Sequence, residues 1–214
     1  MKLDEIKKPY DLIVSLGSSC SPAAHLRRNH LRKFSMPFDW IVTPNLPDVG
    51  RVIQNQFQNF MLLENLRLQD GQANFLDDTE SIQTSKAYFV QDIQNNMLSV
   101  HDFPVHSDLS VTYPAYRQKL DRRIERFLLH LQHSSSVLFI RWAGTAEQAI
   151  ELQQILRTCT SGSSDLLLLS PVDNLKIMKD TKCAVDEVCI VNVPNQPEDA
   201  ALWDIILKGI SLNP

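Results

Sequence analysis

The stretch "LIVSLGSSCSPAAHLRR", Leu12 to Arg28, decides how this chain is read. An apolar run reaches Gly17, passes through small polar residues, and then takes on helical character. Continuous apolar character marks a strand buried on both faces, as at the centre of a parallel sheet, and predicts a strand over 11–17. Ser21 followed by Pro22 predicts a helix start, with a capping hydroxyl ahead of a proline in the first turn. Cys20 sits in that strand-to-helix turn. A helix N-terminus favours thiolate over thiol, so Cys20 is either a small packed residue or a presented nucleophile.

Working outward, Leu46, Val49, Ile53, Phe57 and Phe60 recur at steps of three and four and predict a helix over 46–60. Residues 61–84 are polar and irregular and read as a long surface excursion. Residues 86–103 read as a hairpin around Asn95 and Asn96, and 114–132 as an amphipathic helix. Then come strand "VLFIRW" (137–142), helix 145–158, strand "DLLLLS" (165–170), a short helix at 173–179, strand "EVCIVNV" (187–193) and helix 198–208. Alternating strands and helices predict an α/β fold, three-layer, with a mainly parallel Rossmann-like sheet. The chain reads as a single domain over 1–214, with 61–113 an insertion that carries the hairpin.

The chain has 214 residues, 43% of them hydrophobic, which is enough for a real core. A net charge of −4 argues against a nucleic-acid partner. The opening "MKLDEIKKPY" mixes charge signs without an apolar core, and no apolar run approaches the length of a membrane span. A cytoplasmic location is the expectation. Cys20, Cys159, Cys183 and Cys189 form no C-x-x-C pair, so free thiols are expected, with neither disulfide nor zinc site. No metal or other cofactor is implied.

In open parallel sheets, sites gather at the carboxyl ends of the strands, where Cys20 falls. Backbone N–H groups of Gly17, Ser18, Ser19 and Ser21 are candidates to hold an oxyanion. Among the histidines, His25 and His30 read as helix residues, His130 and His133 close a helix, and His106 lies in a polar loop. His101 ends a strand and precedes Asp102, so it is the candidate base. Neighbours on a strand face opposite ways, so Asp102 is not automatically its partner. Asp39, within "FSMPFDWIVT" (34–43), either caps backbone N–H groups or has a catalytic role. Arg141 ends a strand near Cys20, where it can bind an anionic substrate group or pair with a loop carboxylate.

"SLGSSCSPAAHLRR", "LRKFSMPFDWIVT", "HDF", "RRIERFLLHL" and "VLFIRW" together resemble DUF1796, a bacterial and viral family described as papain-like cysteine peptidases. The resemblance runs from about Asp11 to Trp142. It implies a Cys20 nucleophile, a His101 base and Asp39 or Asp102 as the acidic member, acting on an acyl, peptide or amide substrate as a hydrolase or acyltransferase. Papain-like enzymes place the cysteine on a helix and the histidine on a later antiparallel sheet, whereas the periodicity here predicts β-α repeats. "LGSSCS" also resembles the nucleophile turn of SGNH or GDSL esterases, with Ser19 in the nucleophile position, although no histidine follows His133. A third reading is a non-catalytic α/β module whose turn binds an anion or glycan.

Overall fold

The computed structural model describes residues 1–77 and 79–214. In chain order its elements are β1 (Pro9–Tyr10), β2 (Leu12–Ser15), α1 (Ser21–Arg28), β3 (Ile41–Val42) and α2 (Leu46–Gln54). There follow β4 (Leu66–Leu76), β5 (Ile82–Asp92), β6 (Met97–Pro104) and the long α3 (Leu109–His133). The rest is β7 (Ser136–Trp142), α4 (Ala146–Cys159), β8 (Ser163–Val172), β9 (Lys179–Thr181), β10 (Val188–Pro194), α5 (Ala200–Leu207) and β11 (Ser211–Leu212).

The fold is mixed α/β with several sheets. One sheet has the order β2-β7-β8-β10-β9, with β2, β7, β8 and β10 parallel and β9 antiparallel at the edge. A second, antiparallel sheet has the order β3-β6-β5-β4, and β1 pairs with β11. The expectation of one mainly parallel Rossmann-like sheet therefore does not hold. Strands joined in sequence by tight turns, as β5 and β6 are across Asn95 and Asn96, pair antiparallel, and here they recruit β4 and β3 as well. The stretch read as an irregular excursion, 61–84, contains β4. The short helix expected at 173–179 is absent, and the chain there runs through a turn into β9.

Alternation along the parallel strands divides the apolar core in two. Leu12, Val14, Phe139 and Leu168 pack with Val49 of α2, Phe127 of α3 and Leu152 of α4. Ile13, Leu138, Ile140 and Leu167 pack with Leu26 of α1 and Trp203 and Ile206 of α5. Each such side chain contributes roughly 1.5–3 kcal/mol on burial.

The end of β2 fixes where the candidate site lies. Main-chain pairing continues past β2, with Leu16 N–H donating to Ile140 (2.8 Å) and Trp142 N–H to Gly17 (3.0 Å). Thr43 N–H then donates to the Ser18 carbonyl (2.9 Å), which brings the loop after β3 against the turn. Gly17 has φ +82°, and a Cβ there would collide with Thr43 Oγ1. Gly17→Ala is expected to lower unfolding free energy by about 1–3 kcal/mol, the usual cost of a non-glycine residue held in such a conformation. Equilibrium denaturation checks this, and an unchanged midpoint would mean that the turn can relax.

Candidate functional site

Cys20 immediately precedes α1 and is its N-cap, without a side-chain capping bond. Ser21, expected as the cap, instead opens the helix, with Pro22 behind it. The Ser21 N–H donates to Ser19 Oγ (3.3 Å), and the two hydroxyls lie 3.1 Å apart. Ser21 Oγ donates to Glu198, from the loop between β10 and α5. These bonds clamp the turn that carries the thiol.

Cys20 and His101 line the same cavity, of about 830 Å³. His101 projects from β6, and its Nδ1 lies 2.7 Å from the Asn74 carbonyl oxygen. A carbonyl only accepts, so Nδ1 carries a proton, and in the neutral ring Nε2 is then the nitrogen with the lone pair. The Trp40 ring stands edge-on to the imidazole at 6.0 Å. That is the tautomer and restraint a proton acceptor needs.

The two candidate carboxylates are engaged elsewhere. Asp102, next to His101 on the strand, points the other way, accepting from Ser99 Oγ (2.7 Å) and pairing with Lys119 of α3 (2.8 Å). Burial acts to raise its carboxyl, but Lys119, Arg123 and Ser99 outweigh it and hold it below the usual range. Asp39 is wholly buried, pairs with Arg32 (2.6 Å) and accepts the Met36 N–H (2.9 Å), while its Oδ1 has no partner among the described residues. Burial pushes Asp39 up, against the pull of Arg32. Glu80 completes this buried group by accepting from Arg32 and from Trp40 Nε1 (2.8 Å), with Arg123 at 3.6 Å.

Arg141 is 1% exposed and spends its guanidinium on the backbone. It donates to the carbonyls of Leu16 (2.7 Å), Thr43 (2.7 Å) and Ala143 (3.0 Å) and to Thr43 Oγ1. Burial without a carboxylate partner pushes it down to about 9. In the turn, the Gly17 N–H donates to Ser15 Oγ (3.3 Å) and the Ser18 N–H to Trp142 (3.4 Å). Among the described residues, the Ser19 and Cys20 N–H groups have no protein acceptor.

Sequence reasoning missed Trp40, Asn74, Glu80, Lys86 and Glu198 as cavity residues. The buried tryptophan beside Asp39 carried a local signal and Lys86 lies on the expected hairpin, while Asn74, Glu80 and Glu198 arrive from a strand and loops whose placement no pattern announces. Among the described residues no group of three or more His, Cys, Asp or Glu side chains could hold a metal. No helix among them is long and apolar enough to cross a membrane.

Fold and site together define a mixed α/β protein with a thiol at a helix start and an imidazole on an antiparallel strand, facing one cavity. The chain belongs to the family described as "putative papain-like cysteine peptidase (DUF1796)", whose model matches residues 11–166. A relative described as uncharacterized protein R408, from Acanthamoeba polyphaga mimivirus, is 31% identical over 139 residues. That alignment covers 61% of this chain and 60% of the relative. No solved structure matches the chain.

The electrostatics of the thiol run opposite to the effect of the helix N-terminus. Burial pushes Cys20 up to about 12, and the negative charges of Asp102, Asp39 and Glu198 add to it. The resting group is therefore a thiol at neutral pH. Its alkylation by iodoacetamide should accelerate steadily from pH 7 through pH 10, as peptide mapping would follow. A rate that levels off below pH 8 would reveal a preformed thiolate and refute this account.

Proposed function

We propose that the protein is a cysteine-dependent hydrolase or acyltransferase, peptidase-like in its chemistry, with Cys20 as nucleophile and His101 as base. The observation that carries the reading is that both line one cavity while the Asn74 carbonyl leaves His101 Nε2 free to accept a proton. Because the thiol rests protonated, proton removal accompanies attack rather than preceding it. His101 Nε2 takes the thiol proton as Sγ bonds to the substrate carbonyl carbon, and the carbonyl π pair moves onto oxygen. The unpartnered Ser19 and Cys20 N–H groups are the donors for that oxyanion, each such donor being worth about 3–4 kcal/mol. Collapse of the intermediate expels the leaving group, which takes the proton from His101, and leaves a thioester. Water or another acceptor then adds to the thioester, giving its proton to His101, and the departing sulfur recovers that proton as Cys20 is released.

Arg141 serves this scheme as a brace for the turn rather than as a substrate ligand. Asp39 and Asp102 shape the field at the thiol, and the Asn74 carbonyl does the orienting that a third carboxylate would do elsewhere. Ser19 is the weaker nucleophile, since its hydroxyl meets Ser21 rather than an imidazole.

Incubation with an activated ester, followed by intact-mass analysis and peptide mapping, tests the reading. Wild type should acquire an acyl group on Cys20, Cys20→Ala should acquire none there and lose turnover, and His101→Gln should acylate about 10²- to 10⁴-fold more slowly. An acyl group on Ser19, with Ser19→Ala inactive and Cys20→Ala active, would transfer the role to serine. If neither residue is acylated and neither change matters, the cavity is a binding site for an anion or glycan.

A further inference from the structure

We propose that the acyl donor received by this cavity is an anionic amphiphile. Its apolar group would sit against Trp40, Leu76 and Ile82, and its acidic group would lie at the mouth between Arg27 and Lys86. The inference rests on the reading that Cys20 attacks a carbonyl here, and it names what that carbonyl is attached to.

The apolar half comes from three side chains of the cavity lining, Trp40, Leu76 and Ile82. Ile82 opens β5 and is 71% exposed, yet it lines the cavity together with the buried Trp40 and Leu76. What sets Ile82 apart from other exposed apolar side chains is that it shares a cavity wall with Trp40 and Leu76, where the three together offer a ligand an apolar contact. Ala24 and Ala73 widen the same wall without adding polar groups.

The charged half follows from which cations keep unspent charge. Arg28 is neutralised by Asp204 of α5. Arg27 donates to the Glu80 backbone carbonyl (2.9 Å), while the Glu80 carboxylate, 3.8 Å away, already serves Arg32 and Trp40. Lys86 donates only to the neutral Asn74 side chain (2.6 Å) among the described residues. Against these stands Glu198, held by Ser21 on the α1 side of the cavity. The other titratable groups on the wall among the described residues are the Cys20 thiol, His30 and His101. An acidic group is therefore favoured at Arg27 and Lys86, and a basic one is not. A fatty acyl chain with a phosphate or carboxylate head meets the requirement, and so does a peptide with a large apolar residue beside an acidic one.

Titration calorimetry on Cys20→Ala, which cannot be acylated at that position, separates the sources. The probes are decyl phosphate and decyltrimethylammonium, each below its micelle concentration, and the dipeptides N-acetyl-Leu-Glu and N-acetyl-Leu-Lys. The acidic member of at least one pair should bind about tenfold or more tightly than its basic counterpart, a difference that one well-placed cation contact can supply. Ile82→Ser, at an exposed position, should weaken both members of that pair alike. The double variant Arg27→Glu, Lys86→Glu should erase or reverse the charge preference. Binding of decyl phosphate alone would identify a lipid-like donor, and of N-acetyl-Leu-Glu alone a peptide donor. The proposal falls if no probe binds, if charge makes no difference, or if the preference survives the double variant. Because these measurements need no thiol, a protein that binds the acidic probes but never acylates Cys20 would count against the cysteine chemistry and not against the amphiphile.

Discussion

A buried guanidinium holds this site in place. Arg141 reaches from the end of β7 to the carbonyls of Leu16, Thr43 and Ala143, so the end of β2, the loop after β3 and the exit of β7 share one cation. Burying an unpaired charge costs several kcal/mol, and four oxygen acceptors offset that cost by replacing its water. The dependence is mutual. Without the arginine, the Leu16 carbonyl would keep the Thr43 hydroxyl as donor, but the Thr43 carbonyl would lose the guanidinium, at a cost of about 1–3 kcal/mol for a buried group left unsatisfied. Gly17 belongs to the same arrangement, because a side chain there would occupy the space where Thr43 and Arg141 meet.

A second set of buried charges fastens the antiparallel sheet to the helices. Arg32 follows α1 and joins Asp39 to Glu80, which lies between β4 and β5, while Arg123 of α3 comes within 3.6 Å of Glu80. The tip of the β4–β5 hairpin is thereby drawn against the segment that carries Trp40, and the hairpin supplies a wall of the cavity. Its negative members also burden the thiol. Asp39 pairs with Arg32 and Asp102 with Lys119, yet the charge of both still reaches the sulfur. Structural ion pairs and the ionisation of the Cys20 thiol are thus coupled through the same carboxylates.

The parts of the fold legible in the sequence were those whose burial has a period. β2, β7, β8 and β10 lie between two apolar layers and show as unbroken runs, and α3 and α4 show their buried stripes. β4 had no such signal. It is an edge strand, exposed along almost its whole length, so alternation had nothing to report, and its pairing with β5 is irregular around Gly71. Within the helix expected at 173–179, Ile177 is 78% exposed and no residue is buried, and a short segment without a buried face has no reason to coil. At the site, Cys20 could be picked out as a thiol at a strand-to-helix turn and His101 as an imidazole on a strand, although His101 lies within β6 and not at its end as expected. The use of Arg141 could not, because a guanidinium bonded to carbonyls leaves no partner of opposite charge to search for.

The strand that supplies His101 explains why its orienting group is a carbonyl. Successive residues on β6 face opposite sides, so with His101 toward the cavity Asp102 must face α3, where Lys119 receives it. The adjacent acid is excluded by geometry from bonding the ring. β4, brought close by the curl of the sheet, presents the Asn74 carbonyl instead. A carbonyl fixes the same tautomer as a carboxylate while adding no full negative charge. That matters here because burial and the charges of Asp102, Asp39 and Glu198 already disfavour the thiolate. A further carboxylate on the imidazole would make His101 a stronger base and would also raise the barrier to forming negative sulfur beside it. With the neutral acceptor, the imidazolium of the proposed proton transfer has a carbonyl rather than a carboxylate bonded to its ring, so less of its attraction for the developing thiolate is cancelled.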